Sequence, residues 1–456
     1  MILARALRTA LVVASTSLAA LVVTGCGEPA PEVPRRVLVF GIDGGDWDRA
    51  IPLMRQGKMP TLERLMRTGV RETLRSLPPG PAGEERLSPT IWTSAVTGMM
   101  PEKHGILHFV APGPDGRMQP ITSNQRRAAA LWNMATARGL DVGVIGWLAT
   151  WPAEPVQGYL VSSYTPYIFK WSSDPAGRPI KGTLVTGVPD QVYPPELQPV
   201  LEGMKVAPDS VDDRRLEARF TRHELPGVRD EDLQKSLDGM RWSWAADQTY
   251  LRAYEWLAAH PPTGRRPDLE LAYFASVDVI SHRFWKYMEP DTYTLGDVDP
   301  ADVLAFGQSV ESAYRCVDGV LGEVLGLEPD SSRVIVLSDH GFQENRDRQR
   351  TTSSGWHRPQ GILLANGPGF RRGEHVGEGS VVDVAPTVLY ALGLPIGADM
   401  DGRPALDLFE DDVVKKRAPE EIPSWEPEVE RARAEAPKTS PVDREILERL
   451  KTIGYI

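Results

Sequence analysis

Three mostly apolar runs along the chain each lead into an acid. The runs and the residues that follow them are Val37–Ile42 with Asp43, Leu269–Val277 with Asp278, and Arg333–Leu337 with Ser338-Asp339-His340. Apolar runs without polar alternation are typical of parallel strands that are buried on both faces. Ligands of an open parallel sheet collect beyond the carboxyl ends of its strands. The pattern therefore predicts a central, mostly parallel sheet with three acids along one rim.

Other stretches carry apolar residues at helical spacing. Helices are predicted over about 59–69, 126–138 and 301–325, which makes the fold class α/β. The interval from about 148 to 268 is instead irregular and rich in proline, aromatic and charged residues, and we expect it to be an insertion between two halves of the sheet. Its aromatic residues form either an apolar wall beside a substrate or the insertion's own small core; they include Tyr164, Tyr167, Phe169 and Trp171.

The last fifty residues change in composition. Residues from about 410 to 438 are charged and proline-rich, so we expect a loose connector there. Ser440-Pro441-Val442-Asp443 then has the pattern of a capping box with proline at the first helical position. Ile446, Leu447 and Leu450 follow at helical spacing. A short terminal helix is therefore predicted to dock on the body of the protein.

Histidines and a serine add to the three acids. Asp278 and His282 lie four residues apart, which places both side chains on one face of a helical turn. Asp339-His340 follows a buried strand, where a carboxylate and an imidazole are costly to desolvate unless they are paired or metal-bound. Ser88-Pro89 is either a plain N-cap with proline at the first helical position or a hydroxyl that faces a phosphate at a helix N-terminus. Both descriptions of Ser88 can hold together.

The order and spacing of these segments resemble the alkaline phosphatase superfamily, in particular its type I phosphodiesterase and nucleotide pyrophosphatase branch. The resemblance extends from about Arg36 to about Phe409, with Gly41-Ile42-Asp43-Gly44-Gly45 and Gly355-Trp356-His357 among the matching segments. It implies a three-layer sandwich with an inserted cap and a site for two divalent ions. By this resemblance the first ion would be bound by Asp278, His282 and His357, and the second by Asp43, Asp339 and His340, with Ser88 as a further metal ligand.

The resemblance also implies a nucleophile. In the family it lies ten residues ahead of the glycine of a Thr-Gly pair, which a Pro-Glu-x-His-Gly-Ile stretch follows. Thr97-Gly98 and the stretch from Pro101 to Ile106 fit this pattern, and counting back reaches Ser88. Threonine usually fills this position in the phosphodiesterase branch, so Thr90 is the alternative. We favour Ser88 because it would begin the helix, whereas Thr90 would fall inside the first turn.

Chemistry and resemblance together predict a metal-dependent phosphoester hydrolase. Aspartate and histidine ligands without thiolate suit Zn²⁺, with Mn²⁺ as the main rival. Two such ions can hold the attacking and the leaving oxygen of a displacement. The predicted reaction passes through a covalent phosphoserine or phosphothreonine, with a phosphodiester or pyrophosphate favoured over a monoester. The substrate would be a small phosphoester or a phosphate linked to a lipid or glycan.

Other functions remain open on the sequence alone. A phosphomonoesterase and a phosphoglycerate mutase or phosphotransferase relative would use the same metal ligands. A non-catalytic, metal-binding surface lipoprotein is an alternative from a different class, but it would need neither two ion sites nor Ser88. The net charge of −11 and the lack of a basic stripe argue against a nucleic-acid polymer as partner.

The N-terminal residues predict a location. Arg5 and Arg8 precede an apolar stretch over 10–23, and Val23-Thr24-Gly25-Cys26 resembles a bacterial lipobox. We therefore predict a lipoprotein signal peptide over 1–25, lipidation of Cys26 and a tether over 26–35. The protein would be attached to a membrane of the bacterial cell envelope, on its periplasmic or extracellular face. The alternative is an ordinary secretory signal with an incidental cysteine.

Overall fold

The structure is a computed structural model, and it describes residues 36–83, 85–167, 188–221, 231–293, 298–345, 353–429, 437–453 and 455–456. The predicted signal peptide, Cys26 and the tether lie outside the described residues, as do Phe169 and Trp171. Among the residues described, none of the helices is both long enough and apolar enough to span a bilayer.

Strands occur along the whole described chain. In order they are β1 (Val37–Ile42), β2 (Val70–Arg75), β3 (Val110–Pro112), β4 (Met118–Pro120), β5 (Val142–Ile145), β6 (Gly158–Val161), β7 (Val192–Tyr193), β8 (Leu269–Phe274), β9 (Arg333–Leu337), β10 (Gly341–Glu344), β11 (Gly355–Arg358), β12 (Gln360–Asn366), β13 (Glu374–Ser380), β14 (Ile396–Gly397) and β15 (Glu421–Ile422).

The α-helices alternate with these strands. In order they are α1 (Trp47–Arg55), α2 (Pro60–Thr68), α3 (Ser88–Thr97), α4 (Pro101–His104), α5 (Leu131–Ala137), α6 (Gln198–Glu202), α7 (Asp213–Phe220), α8 (Glu231–Ala259), α9 (Ser276–Met288), α10 (Pro300–Phe306), α11 (Ser309–Gly326), α12 (Val384–Leu392), α13 (Asp411–Lys416) and α14 (Asp443–Ile453). Short 3-10 helices cover Ser123–Gln125, Pro195–Leu197, Pro208–Ser210, Pro290–Thr292, Val381–Asp383 and Leu406–Leu408.

Nine strands form the central sheet, in the order β13-β2-β12-β9-β1-β8-β5-β6-β7. The five consecutive strands β9, β1, β8, β5 and β6 run parallel to one another. Strand β12 runs antiparallel to both β2 and β9, and β7 runs antiparallel to β6. The predicted mostly parallel sheet is thus confirmed. Because β1, β8 and β9 are adjacent and parallel, their carboxyl ends lie side by side.

Two hydrophobic cores cover the two faces of this sheet. Side chains alternate along β1, so Leu38 and Phe40 pack with α1, α2, α8, α9 and α11 on one face. Val37 and Val39 pack with α3, α5 and α12 on the other face. The result is the three-layer α/β sandwich that the resemblance implies, with all six residues of β1 buried.

Several predicted boundaries differ from the structure. The run Leu269–Val277 ends as a strand at Phe274, and Asp278 lies in the first turn of α9 rather than at the strand end. The helix predicted over 301–325 is divided at Gly307 into α10 and α11. The helix predicted over 126–138 begins only at Leu131, because the buried Arg126 donates to the Ala128 carbonyl and to Glu154 in a non-helical turn.

The described part of the interval 148–268 contributes to the main body. Strands β6 and β7 extend the central sheet, and helix α8 packs against α9. Tyr164 and Tyr167 are buried, with Tyr164 stacked on Trp151 at 4.7 Å. The limits of the insertion remain a prediction.

The C-terminal stretch contains more regular structure than its charge predicts. Helix α13 and strand β15 lie within the expected connector, and Trp425 is buried. Helix α14 begins at Asp443, whose carboxylate accepts from the backbone N–H of Ser440 at 2.8 Å. Side chains of this terminal segment join a third hydrophobic cluster with Trp151, Tyr164 and Tyr167; they are Val442, Ile446, Leu450 and Tyr455.

Candidate active site

One group of donors lies where β1 and β9 end. Asp43 follows β1 directly, and Asp339 and His340 follow β9. The Nε2 atom of His340 lies 3.4 Å from Asp43 Oδ1 and 3.4 Å from Asp339 Oδ2. Gly44 turns the chain here with φ of +74°, and its N–H donates to Asp339 Oδ1 at 3.3 Å. A side chain at Gly44 would meet both a positive φ and the Phe342 ring, so glycine is required here.

A second group of donors lies on α9 and β11. Asp278 and His282 are one helical turn apart, as their spacing predicts, with His282 Nε2 3.3 Å from Asp278 Oδ1. His357 Nε2 lies 3.1 Å from His282 Nε2 and 3.7 Å from Asp278 Oδ1. His357 lies on β11, which pairs with β10 in a small separate sheet. All three residues are buried.

The two groups adjoin each other. His340 stacks on His357 with ring centroids 3.8 Å apart, and His340 Nε2 lies 3.8 Å from Asp278 Oδ1. Within each group the three donor atoms lie within 4.8 Å of one another. The described chain thus contains two neighbouring clusters that could each hold a metal ion.

Ser88 lies against these clusters. Its hydroxyl oxygen is 3.4 Å from Asp43 Oδ1 and 3.4 Å from His340 Nε2. Helix α3 begins at Ser88, with Leu87 as the N-cap, so the serine lies one position further into the helix than an N-cap serine would. Thr90 is fully buried in the first turn, and its hydroxyl has no hydrogen-bond partner among the described residues. Ser88, rather than Thr90, contacts the donor cluster of Asp43 and His340.

The pKa values of the three acids are raised, as expected where carboxylates lie close together without a bound cation. Burial, together with the charge of the nearby Asp278, raises the pKa of Asp43 to about 7. Burial also raises the pKa of Asp278 to about 6. The pKa of Asp339 is well above its usual range because of burial and the charge of Asp43. Three carboxylates this close cannot all be ionised at low cost without a positive charge between them.

The histidines are oriented for metal binding. His282 directs Nδ1 at Ser353 Oγ, 2.6 Å away, and at the Gly355 carbonyl, 3.0 Å away. His340 directs Nδ1 at the Gly341 carbonyl, 3.1 Å away. A proton held on Nδ1 by a carbonyl leaves Nε2 as an acceptor, which is how imidazole binds metals. Burial lowers the pKa of His282 to about 3, which also favours the neutral ring. The residues therefore fit two divalent ions.

Sequence reasoning missed two tyrosines at this site. Tyr273, on β8, donates a hydrogen bond to Asp43 Oδ2. Tyr455, the penultimate residue, brings its hydroxyl within 2.8 Å of His282 Nε2. Tyr273 lies inside an apolar strand, where a tyrosine gives no signal of its own. Tyr455 lies 173 residues from His282 along the chain, so no local pattern connects them.

A cavity of about 140 Å³ opens beside Ser88 and Asp43. Its wall is mainly aromatic and aliphatic; the aromatic members are Phe109, Tyr164, Tyr167, Trp242, Tyr250, Tyr273 and Tyr455. Tyr164 and Tyr167, both predicted from the 148–268 interval, thus line a cavity that the predicted nucleophile also lines. They belong at the same time to a hydrophobic cluster, so both interpretations of these aromatics hold.

His104 has a structural role, because its ring lies among protein partners only. Its Nδ1 accepts from the backbone N–H of Ile106 at 3.2 Å, so Nε2 carries the proton and donates to Ser94 Oγ at 2.9 Å. Burial lowers the pKa of His104 to about 3. The ring therefore stays neutral and joins the end of α4 to α3.

Comparison with known proteins identifies the class. The sequence profile of the type I phosphodiesterase / nucleotide pyrophosphatase family matches residues 37–395. This match covers most of the chain, and the protein therefore belongs to that family. The match contains all six residues of the two clusters, and it also contains Ser88.

Individual relatives are more distant. A 2,3-bisphosphoglycerate-independent phosphoglycerate mutase of Agrobacterium fabrum is 28% identical over 151 residues, which are 32% of this chain and 25% of the mutase. The chain thus spans about a quarter of the length of the curated relative that it matches. Wild-type alkaline phosphatase PafA matches with a TM-score of 0.52 at 12% identity, over 84% of this chain and 100% of that chain. This likeness supports the alkaline phosphatase-like fold.

A further solved structure is the inactive form of murine ectonucleotide pyrophosphatase/phosphodiesterase 5 in complex with AMP. Its TM-score is 0.45 at 13% identity, over 82% of this chain and all of that chain.

Proposed function

We propose that the protein hydrolyses a phosphoester at a two-ion site, with Ser88 as the nucleophile. The single observation that carries the proposal is the position of the Ser88 hydroxyl, 3.4 Å from both Asp43 Oδ1 and His340 Nε2, two members of one donor cluster. Family membership adds the reaction class. The donor set of aspartate and histidine without thiolate suits Zn²⁺, with Mn²⁺ as the rival.

The reaction divides into two steps. The Ser88 oxygen attacks phosphorus, its proton passes to solvent, and the bond to the leaving oxygen breaks. Water then releases the phosphoryl group from Ser88 and restores the hydroxyl. Bound divalent ions would favour the serine alkoxide and stabilise the leaving oxygen. The N-terminal N–H groups of α3 face the same phosphate, because Ser88 is the first residue of that helix.

The surroundings of Ser88 favour a diester over a monoester. A dianionic monoester needs an additional cation, but two basic residues near Ser88 along the chain are engaged elsewhere. Arg86 is paired with Glu102, and Lys103 lies 2.6 Å from Asp401. The aromatic cavity beside Ser88 instead suits an apolar second substituent, such as that of a lipid-linked phosphate. A monoesterase or a mutase-like phosphotransferase is the alternative that the same donors permit.

The test combines metal removal with a substrate panel. Chelation should abolish hydrolysis of bis-nitrophenyl phosphate, and Zn²⁺ or Mn²⁺ should restore it. Ser88→Ala should lose at least a thousandfold in turnover, about 4 kcal/mol, with its metal content unchanged. Thr90→Ala is the matched control and should keep most of its activity. Active protein that contains no transition metal would contradict the proposal, and a tenfold preference for nitrophenyl phosphate would reject the diester assignment.

The location is a separate part of the proposal. The lipobox-like segment ending at Cys26 supports a lipid anchor in the bacterial cell envelope. Cys26→Ser should release soluble and active enzyme from the membrane fraction. Wild-type protein that is soluble, with an unmodified N-terminus, would exclude the lipoprotein assignment.

A further inference from the structure

The C-terminal segment brings a phenol oxygen into one of the two donor clusters. The Tyr455 hydroxyl lies 2.8 Å from His282 Nε2, 3.4 Å from His357 Nε2 and 3.3 and 3.4 Å from the two carboxylate oxygens of Asp278. A phenol that only needs a hydrogen bond would be satisfied by one of these groups. Tyr455 instead lies at similar distances from all three donors.

These four residues have the geometry of a tetrahedral metal site. The six distances between the atoms Asp278 Oδ1, His282 Nε2, His357 Nε2 and Tyr455 Oη run from 2.8 to 3.7 Å. Their mean is about 3.3 Å, and a regular tetrahedron of that edge has its centre about 2.0 Å from each corner. Zinc–nitrogen and zinc–oxygen bonds have this length. The phenol oxygen thus completes a coordination shell that three residues leave open.

Packing holds the phenol in this position. The Tyr455 ring stacks on Phe109 with centroids 4.4 Å apart, and its backbone N–H donates to the Leu450 carbonyl at 3.0 Å. Only 8% of Tyr455 is exposed. Helix α14 itself is packed through Ile446 and Leu450. The tyrosine is therefore placed by a docked helix rather than by chance contact of a free end.

We propose that Tyr455 is a fourth donor to the ion bound by Asp278, His282 and His357. The proposal rests on the two-ion function proposed above. Catalytic zinc sites keep one coordination position for water or substrate. With an ion bound, Tyr455 would fill that position, so a phosphate oxygen would have to displace the phenol or add to the four protein donors. The segment that carries Tyr455 would thereby regulate access to one of the two ions.

The test compares Tyr455→Phe with Tyr390→Phe in the full-length protein. Tyr455→Phe keeps the ring and its packing on Phe109 but removes the oxygen. Tyr390 is a buried phenol on α12 that donates to the Arg417 carbonyl at 2.7 Å, so its variant controls for the loss of a buried hydrogen bond. Metal content is measured by elemental analysis during chelator titration, the ligand environment by visible absorption of the Co²⁺-substituted protein, and access by calorimetry with inorganic phosphate.

The expected result is two changes of opposite sign. Tyr455→Phe should hold one of its two ions at least tenfold more weakly and show an altered Co²⁺ spectrum, while phosphate binds severalfold more tightly to the fully loaded protein. Tyr390→Phe should match wild type in all three measurements. If the substitution only made the site less ordered, both metal and phosphate would bind more weakly, and that outcome would overturn the proposal.

Failure of this proposal can be told apart from failure of the proposed function. Tyr455→Phe could bind both ions with the affinity of wild type and show an unchanged Co²⁺ spectrum. That result would overturn the role of Tyr455 and leave the proposed two-ion site intact. Wild-type protein that binds no transition metal would overturn both.

Discussion

Buried carboxylates lie at both ends of the same three strands, and their surroundings are opposite. At the amino ends of β1, β8 and β9, Glu270 and Glu328 are matched with arginines. Arg36 contacts both, with its Nη2 atom 2.6 Å from Glu328 Oε1, and Arg266 Nη2 lies 2.6 Å from the same oxygen. At the carboxyl ends, Asp43, Asp278 and Asp339 face one another and three histidines.

The pKa values record this difference. Burial alone raises the pKa of Glu328, but the hydrogen bond and charge of Arg36 outweigh burial and lower it. Burial raises the pKa of Asp339 as well, and there the charge of Asp43 adds to the effect. At the amino ends of the strands, arginines balance the charge of the buried carboxylates, and these pairs stabilise the fold. At the carboxyl ends the acids repel one another, and a bound cation would balance their charge, which is the property expected of a functional site.

The largest expected effect comes from changing an acid at the carboxyl ends of the strands. Asp339→Asn should lower turnover about a thousandfold or more, about 4 kcal/mol, because one ion loses a charged ligand. The metal-free variant should unfold at the same temperature as wild type or higher, because one of three mutually repelling acids is gone. Metal calorimetry and thermal unfolding after chelation measure both effects. Retention of both ions and of activity within tenfold would contradict the assignment.

A change at the amino ends of the strands should lower stability and leave activity unchanged. Glu328→Gln should lower the free energy of unfolding by about 3 kcal/mol, because Arg36 and Arg266 lose a buried partner. Activity per folded molecule should stay unchanged, since Glu328 lies at the far end of the strands. Urea unfolding measures the free energy of unfolding, and the steady-state rate divided by the amount of folded protein measures the activity. A loss of activity larger than the loss of folded protein would contradict this difference between the two ends of the strands.

Glu72 provides a third environment, with neither arginine nor a metal-like donor set. Its Oε2 atom has no hydrogen-bond partner among the described residues, and burial, followed by Asp407, Asp383 and Glu378, raises its pKa to about 7.

Because the folded state binds this proton more tightly than the unfolded chain, stability should fall as pH rises from about 4.5 to about 7. Glu72→Gln should therefore be more stable than wild type by about 1–3 kcal/mol at pH 8 and by much less at pH 4. Urea unfolding at the two pH values measures the difference. An equal gain at both values would show that the carboxylate charge is not the cause.

The smallest effect is expected at the surface. Lys103 and Asp401 form an exposed pair, with the lysine side chain 48% exposed. Lys103→Ala should change stability by less than about 0.5 kcal/mol. It should also leave the ratio of diester to monoester hydrolysis within twofold of wild type. A selective loss of monoester hydrolysis would identify Lys103 as a phosphate contact after all.

Local patterns predicted part of the site well. The runs Val37–Ile42 and Arg333–Leu337 form strands with the predicted limits, because a strand buried on both faces needs an apolar residue at every position. The same rule extended Leu269–Val277 too far, since the first apolar residues of α9 continue the run without a break. No strand is predicted at His357, because the residues of the short strand β11 show no apolar alternation.

The sequence by itself determined that an acid would follow each of three buried strands, because strand burial and the exit of the chain from a parallel sheet are local properties. Only the tertiary structure decided which distant groups meet those acids. Tyr455 lies 177 residues from Asp278, and its hydroxyl reaches the carboxylate only because α14 docks on the aromatic cluster beside the site. Contacts of this kind depend on how packed surfaces fit, and no pattern along the chain specifies that fit.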